Sequence, residues 1–317
     1  MPLQDLPLEI LVTILRLVGS DSLRKQEACC LLVSKWWYGL AESILLEDLA
    51  VHANQLNGIP SPSLSLLKKS LRRLKIDLKP VSDQQVDKLD TNFNDVLSSI
   101  LPYCTQLKTF TLHANGYFSA ERPLESYTDY LKECSLGHIL RVLPFSILSD
   151  LTIDTSGSNI QDKDHFCSHI ALKIPSLRSL QLRVRHICPR VLEFDKSSKI
   201  ESIIINLSLK EDHLLKAGFS RHCKEAISAY DLNDRMVTAA TEIATGLSNI
   251  RMLRILCHKH PGFEMVTTDC INGSQMLLAD MDDSEWDWSD DGPLYLPDEE
   301  PSDRDLFDSD DEDDHVL

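Results

Sequence analysis

Two short stretches carry side chains that can bind metals, His165-x-Cys167-x-His169 and Cys257-His258-x-His260. Thiolate sulfur and imidazole nitrogen suit zinc, which structural sites hold with four such ligands in a tetrahedron. The spacing argues against both stretches. On a helix His165 and His169 share a face while Cys167 points away, and no C-x-x-C pair supplies the missing ligands. The expectation is no metal and no cofactor. The chain has no G-x-S-x-G, no G-x-x-x-x-G-K-[ST] and no G-x-G-x-x-G, and its 11 glycines form no phosphate cradle. Scattered Ser, His and Asp residues give no ordered triad, so no catalytic residue is assigned and no enzymatic activity is expected. The basic run Lys68-Lys69-Ser70-Leu71-Arg72-Arg73-Leu74-Lys75 has the composition of a phosphate-binding patch or nuclear signal. The preferred reading is a solvated helix face leading into a strand, so a nucleic-acid partner is not expected.

The elements that would position any site are legible from charge and periodicity. The chain has 317 residues, about two domains' worth, and a formal charge of −17. Residues 280–317 hold 18 acidic residues and one basic residue, Arg304, which leaves 31 of each sign in residues 1–279. A neutral body is a poor general binder of polyanions. The start MPLQDLPLEI has no cationic segment before its apolar run, so a secretory signal is not expected, and no apolar run reaches the roughly 18 residues of a membrane span. The nine cysteines, mostly in apolar stretches, read as reduced, buried thiols of an intracellular protein, cytoplasmic or nuclear.

Residues 1–45 read as three short helices. Pro7 suits a first turn, and Glu9 sits where the helix dipole favours negative charge. Ile10, Ile14 and Leu17 form a stripe that Leu11, Leu15 and Val18 widen, and Gly19 ends the helix. Ser20-Asp21-Ser22 offers caps for a second helix ending near Val33, and Ser34 caps a third with Trp37, Leu40, Ala41 and Ile44 on one face. The ordered set Leu6-Pro7, Glu9-Ile10, Ile14-Leu15 and Val33-Ser34-Lys35-Trp36-Trp37 resembles the F-box, and Leu32 to Ala41 is close to the form common in fungal members. Trp36 departs from it, standing where the family usually carries a basic residue. The resemblance implies a module that docks onto the Skp adaptor of a cullin–RING ubiquitin ligase. It implies that Leu6, Pro7, Ile10, Ile14, Leu15, Val33 and Trp37 face the adaptor or support that face.

Residues 46–279 repeat one pattern, apolar-x-x-apolar-x-apolar. It occurs at Leu46/Leu49/Val51, Leu71/Leu74/Ile76, Leu107/Phe110/Leu112, Leu148/Leu151/Ile153, Leu177/Leu180/Leu182, Ile200/Ile203/Ile205 and Ile250/Leu253/Ile255. The alternation in its last three positions predicts a short strand with one buried face. Helical spacing lies between strands at Phe93–Ile100, Tyr127–Cys134, Phe166–Ile170 and Ala226–Tyr230, and Pro102, Pro144 and Pro175 stop helices before the next strand. Middle residues are 25, 36, 41, 29, 23 and 50 positions apart, against about 20–29 in regular leucine-rich repeats. The region resembles the leucine-rich-repeat solenoids found behind many F-boxes, in an irregular form. Asn272-Gly273 between two strand-like runs predicts a terminal hairpin that could cover the open end.

The fold class expected is therefore α/β (α+β): F-box helices in 1–45, a leucine-rich-repeat-like solenoid in 46–279, and a disordered acidic tail in 280–317. The function this implies is substrate recognition within an SCF-type ubiquitin ligase, with the adaptor and, through it, the cullin as partners and an unknown protein as target. The alternative is an adaptor-bound scaffold without target degradation.

Overall fold

The computed structural model describes residues 6–25, 34–52, 61–78, 95–114, 136–155, 165–209, 218–225, 227–259 and 264–278. Val33, the helix expected at 127–134 and the tail at 280–317 lie outside the described residues. The described residues form a mixed α/β fold with one nine-stranded, mostly parallel sheet and a separate two-stranded ribbon.

The N-terminal helices are α1 (Leu8–Val18), α2 (Ser20–Lys25) and α3 (Lys35–Leu45). Pro7 stands one place earlier than its expected first-turn position, as the residue capping α1. Gly19 ends α1 at a φ of 81°, which glycine adopts without strain, but its ψ of 153° is extended and not helical. The chain then turns directly into α2, so Ser20 is its first residue and not a cap; its hydroxyl instead donates to Asp48 Oδ2 at 3.4 Å. Ser34 caps α3 as expected, its Oγ accepting from Trp37 N at 3.1 Å. Leu15, Leu23, Ala41 and Ile44 form a small core of their own, with Val12, Trp37, Leu40 and Leu45 packed around it.

After α3 come β1 (Asp48–His52), α4 (Ser61–Ser70), β2 (Arg73–Leu78), β3 (Thr109–Ala114), α5 (Leu136–Val142), β4 (Asp150–Asp154), α6 (Phe166–Ala171), β5 (Ser179–Arg183) and β6 (Ser202–Asn206). The ribbon β7 (Ser208–Leu209) and β8 (Gly218–Phe219), α7 (Ala229–Ala244), β9 (Met252–Lys259), β10 (Glu264–Asp269) and β11 (Gln275–Leu278) complete the order. Strands β1 to β6 and then β9 lie side by side in sequence order, all parallel. The seven middle residues of the repeated pattern are in one register: Leu49, Leu74, Phe110, Leu151, Leu180, Ile203 and Leu253 form a continuous row across the sheet. Val51, Ile76, Leu112, Ile153, Leu182, Ile205 and Ile255 form the next row.

Both rows belong to the main core, with Leu67 of α4, Ile139 of α5, Ile170 of α6 and Met236 of α7. The first two spacer positions have a structural job. The carbonyl of Arg72 accepts from Lys108 N at 2.7 Å and Thr109 N at 3.0 Å, and the same forked contact recurs at Glu47, Lys108, Ser149, Arg178 and Glu201. Each strand is thus aligned on its predecessor before the ladder begins. The three prolines sit in the connections as expected: Pro102 and Pro175 lie inside 3-10 turns, and Pro144 follows the end of α5.

Two expectations change in detail. The helix read around Ala226–Tyr230 begins only at Ala229, capped by Ser228, and runs to Ala244. The hairpin at Asn272-Gly273 exists, with Gly273 at a φ of 77°, but it continues the sheet. β10 pairs antiparallel with β9, so β11, only four residues long, becomes the new edge. No helix among the described residues is long and apolar enough to cross a membrane.

Candidate functional site

Three places carry side chains whose arrangement goes beyond packing. The first is the outer face of α1. Leu11 and Leu15 point inward and are buried, whereas Leu8, Ile10, Ile14, Leu17 and Val18 are exposed, Leu17 to 82%. An 11-residue helix that offers five large apolar side chains to solvent has the character of a docking face. Of the residues that the sequence marked, Pro7, Ile10 and Ile14 lie exposed, Leu6 is half-buried, and Leu15 and Trp37 support the face from within. Trp36, one step off the α3 stripe, is 49% exposed.

The second is a polar row on the face of the sheet opposite the core rows. His52, Asp77, His113, Asp154 and Arg183 are neighbours in register across β1 to β5. His113 Nδ1 lies 3.4 Å from Asp77 and its Nε2 lies 3.3 Å from Asp154. Arg183, buried at 1% exposure, grips Asp154 with Nε at 2.8 Å and a terminal nitrogen at 2.6 Å. Burial by itself would raise the Asp154 pKa, but the hydrogen bonds from His113 and Arg183 and their charges outweigh it and hold the carboxyl well below its usual value. The Asp154–Arg183 ion pair anchors the row. Beside it, the α1–α2 junction and the outer rows of β1–β3 enclose an open recess of about 390 Å³, walled by Gly19, Ser20, Asp48, Arg73, Lys75 and Thr111.

The basic run lies at this end too. Its helix-then-strand form is as expected: Lys68 and Lys69 end α4, and Arg73 and Lys75 lie on β2. Arg72 stands 3.7 Å from Glu47, Arg73 pairs with Asp48, Lys75 stands 3.6 Å from Asp77, and Lys68 Nζ lies 4.6 Å from the Tyr103 ring centre. These partners leave less free positive charge than the sequence run alone offers.

The third place is a cluster that spacing failed to join. His165, Cys167, Cys188 and Cys223 bring four potential ligand atoms within 4.8 Å of one another. His165 is not inside a helix but precedes α6 in extended conformation, so Cys167 does not point away from it. His169 lies in the last turn of α6 and is not part of the group. Cys188 follows β5, and Cys223 follows β8. Their meeting is built by backbone pairing: Ile187 N donates to Arg221 O at 3.0 Å, and Arg221 N donates to Arg185 O at 2.6 Å. The Cys167 and Cys223 sulfurs are 3.6 Å apart, and Cys188 Sγ is 3.3 Å from His165 Nε2. Hydrogen bonds from Cys167 and Cys223 hold the Cys188 thiol far below its ordinary pKa, and the same contact raises that of Cys167. Chemically the group is a nest of three sulfurs and one imidazole nitrogen. No signal along the sequence joins Cys188 and Cys223 to His165 beyond their placement just after strands.

No protein-family model matches the chain, and no curated protein matches it. Among solved structures it is similar to a Bacteroides fragilis protein determined as a structural-genomics target, at 15% identity and a TM-score of 0.32. That match covers 58% of this chain and 50% of the other, so the chain spans about half the length of its neighbour. At that TM-score the likeness carries no argument about fold or function.

Proposed function

We propose that the chain is a substrate-recognition subunit of an SCF-type cullin–RING ubiquitin ligase, working inside the cell. The observation that carries the proposal is the outward apolar face of α1, with Ile10, Ile14 and Leu17 exposed on a helical unit that keeps its own small core. A face of that kind is stable only when a partner covers it or when its exposure is tolerated for the sake of one. The resemblance of these helices to the F-box names the Skp adaptor as that partner. The seven in-register parallel strands support reading the body as a degenerate leucine-rich-repeat-like solenoid. Stacked repeats build extended surfaces suited to proteins. The half-buried part of the polar row, His52, Asp77 and His113, and the recess beside α1 and α2 are the surfaces a target would use. The chain itself performs no covalent chemistry; it raises the effective concentration of a target lysine near a charged ubiquitin carrier.

The test is affinity capture of purified adaptor by the full-length chain and by an Ile10→Ala/Ile14→Ala variant. Truncation of two interface anchors should cost about 2 kcal/mol or more, roughly thirtyfold in affinity. Capture at wild-type affinity by a folded variant would overturn the proposal. Ubiquitylation of captured proteins by the reconstituted ligase then separates a degradation receptor from a scaffold.

A further inference from the structure

We propose that His165, Cys167, Cys188 and Cys223 form a structural zinc site that ties together three segments of the chain, those that follow β4, β5 and β8. Zinc bonds of about 2.3 Å to sulfur and about 2.0–2.1 Å to nitrogen place tetrahedral sulfurs about 3.8 Å apart and a sulfur and nitrogen about 3.6 Å apart. The Cys167–Cys223 sulfur separation of 3.6 Å and the Cys188–His165 separation of 3.3 Å match those edges closely. A disulfide needs about 2.05 Å between sulfurs, would use only two of the three, and would leave the imidazole without a role. Three soft sulfurs and one imidazole, with no carboxylate in the set, select zinc over magnesium or calcium. Cys167 and Cys188 are buried, and four protein ligands leave no open position for substrate, so the site is structural and not catalytic.

The surroundings are those of a ligand shell. His165 Nδ1 lies 2.9 Å from Ser168 Oγ, a partner that holds the ring with Nε2 turned to the sulfurs. Cys188 N donates to Cys167 Sγ at 3.3 Å, a backbone contact to one of the ligand sulfurs. With zinc bound, the three sulfurs would be thiolates and the imidazole neutral. The placement has a structural rationale. The 50-residue interval between the sixth and seventh repeats is the longest of the series, and Cys223 lies within it. A metal would fasten that long connection to α6 and to the turn after β5, where regular repeats rely on packing alone.

The experiment uses the full-length chain purified under reducing conditions, with metal measured by elemental mass spectrometry. One zinc per chain is expected. Cobalt(II) added to the metal-free protein should give the intense visible bands of a tetrahedral site with thiolate charge transfer, and zinc should abolish them. His165→Ala and Cys223→Ser, both at half-exposed positions, should each weaken zinc at least about tenfold. Cys104→Ser, outside the cluster, should bind as wild type. Absence of a cobalt spectrum, or the weak spectrum of an octahedral site, would overturn the proposal. So would wild-type zinc affinity in both ligand variants, or a disulfide among the three cysteines in the intact mass of unreduced protein. Should a variant fail to fold, the cobalt spectrum of the wild type and its loss on adding zinc decide the matter.

Discussion

The N-terminal helices and the repeat body solve the burial problem in opposite ways. The body encloses its apolar rows from the second strand onward: Leu74, Phe110, Leu151, Leu180, Ile203 and Leu253 are all at or below 3% exposure, and Leu49 on the edge strand β1 is half-buried. The helical unit buries one side of α1 and leaves Leu8, Ile10, Ile14 and Leu17 in solvent. Both are written with the same residue types. What differs is the number of neighbours available: a middle strand has strands on both sides and helices over one face, whereas among the described residues α1 has only α2, α3 and the edge of the sheet. Residual exposure of that kind marks the part of the molecule that needs something else.

The difference can be broken at its strong end first. Phe110→Ala empties the centre of the core row and should destabilise the body by about 3–5 kcal/mol, read by urea unfolding. A loss below about 1 kcal/mol would mean that the row is not the body's main support. Asp154→Ala should cost a similar amount, about 3–5 kcal/mol, because it leaves the buried Arg183 charge without its carboxylate. The same pair predicts acid sensitivity. The folded carboxyl titrates below the 3.8 of an unconstrained aspartate, so its stabilisation is complete above that pH and is lost as pH falls through the folded value. An Asp154→Asn variant should therefore show a flatter loss of stability than wild type as pH is lowered from about 5 to 3. Parallel acid curves would show that the pair does not contribute.

The weaker effects belong to the helical unit. Trp37 is half-buried, so Trp37→Ala should cost about 1–2 kcal/mol, below the 3–5 of a fully buried tryptophan. Trp36→Ala should cost less than half of that, since Trp36 is outside. Equal shifts in thermal midpoint would contradict the observed orientation of α3. Smallest of all, Leu17→Ala should leave stability within about 0.5 kcal/mol while weakening adaptor capture. If it unfolds the unit instead, α1 is buried in solution and the contrast between the two regions fails.

The repeated pattern was legible in the sequence because the physical demand is identical in every parallel strand. Each strand must turn two alternate side chains into one core, and each must align on the strand before it, so Leu74-x-Ile76 and Leu180-x-Leu182 look alike although 106 residues separate their starts. The Asn272-Gly273 turn was legible for a local reason, the positive φ that glycine alone takes cheaply. The direction in which α1 faces was not. Ile10/Ile14/Leu17 and Leu11/Leu15/Val18 are equally apolar stripes, and it is the tertiary packing of Leu15 against Leu23 of α2 and Ala41 and Ile44 of α3 that turns its stripe inside. The cysteine cluster was the least legible feature. Cys167, Cys188 and Cys223 stand 21 and 35 residues apart, with no local spacing to join them. Only the parallel stacking of β4 and β5 and the bridge between His186 and Arg221 bring their sulfurs to His165. Periodicity determines which side of a strand is buried; it says nothing about which loops meet, because that is set by the stacking of whole elements.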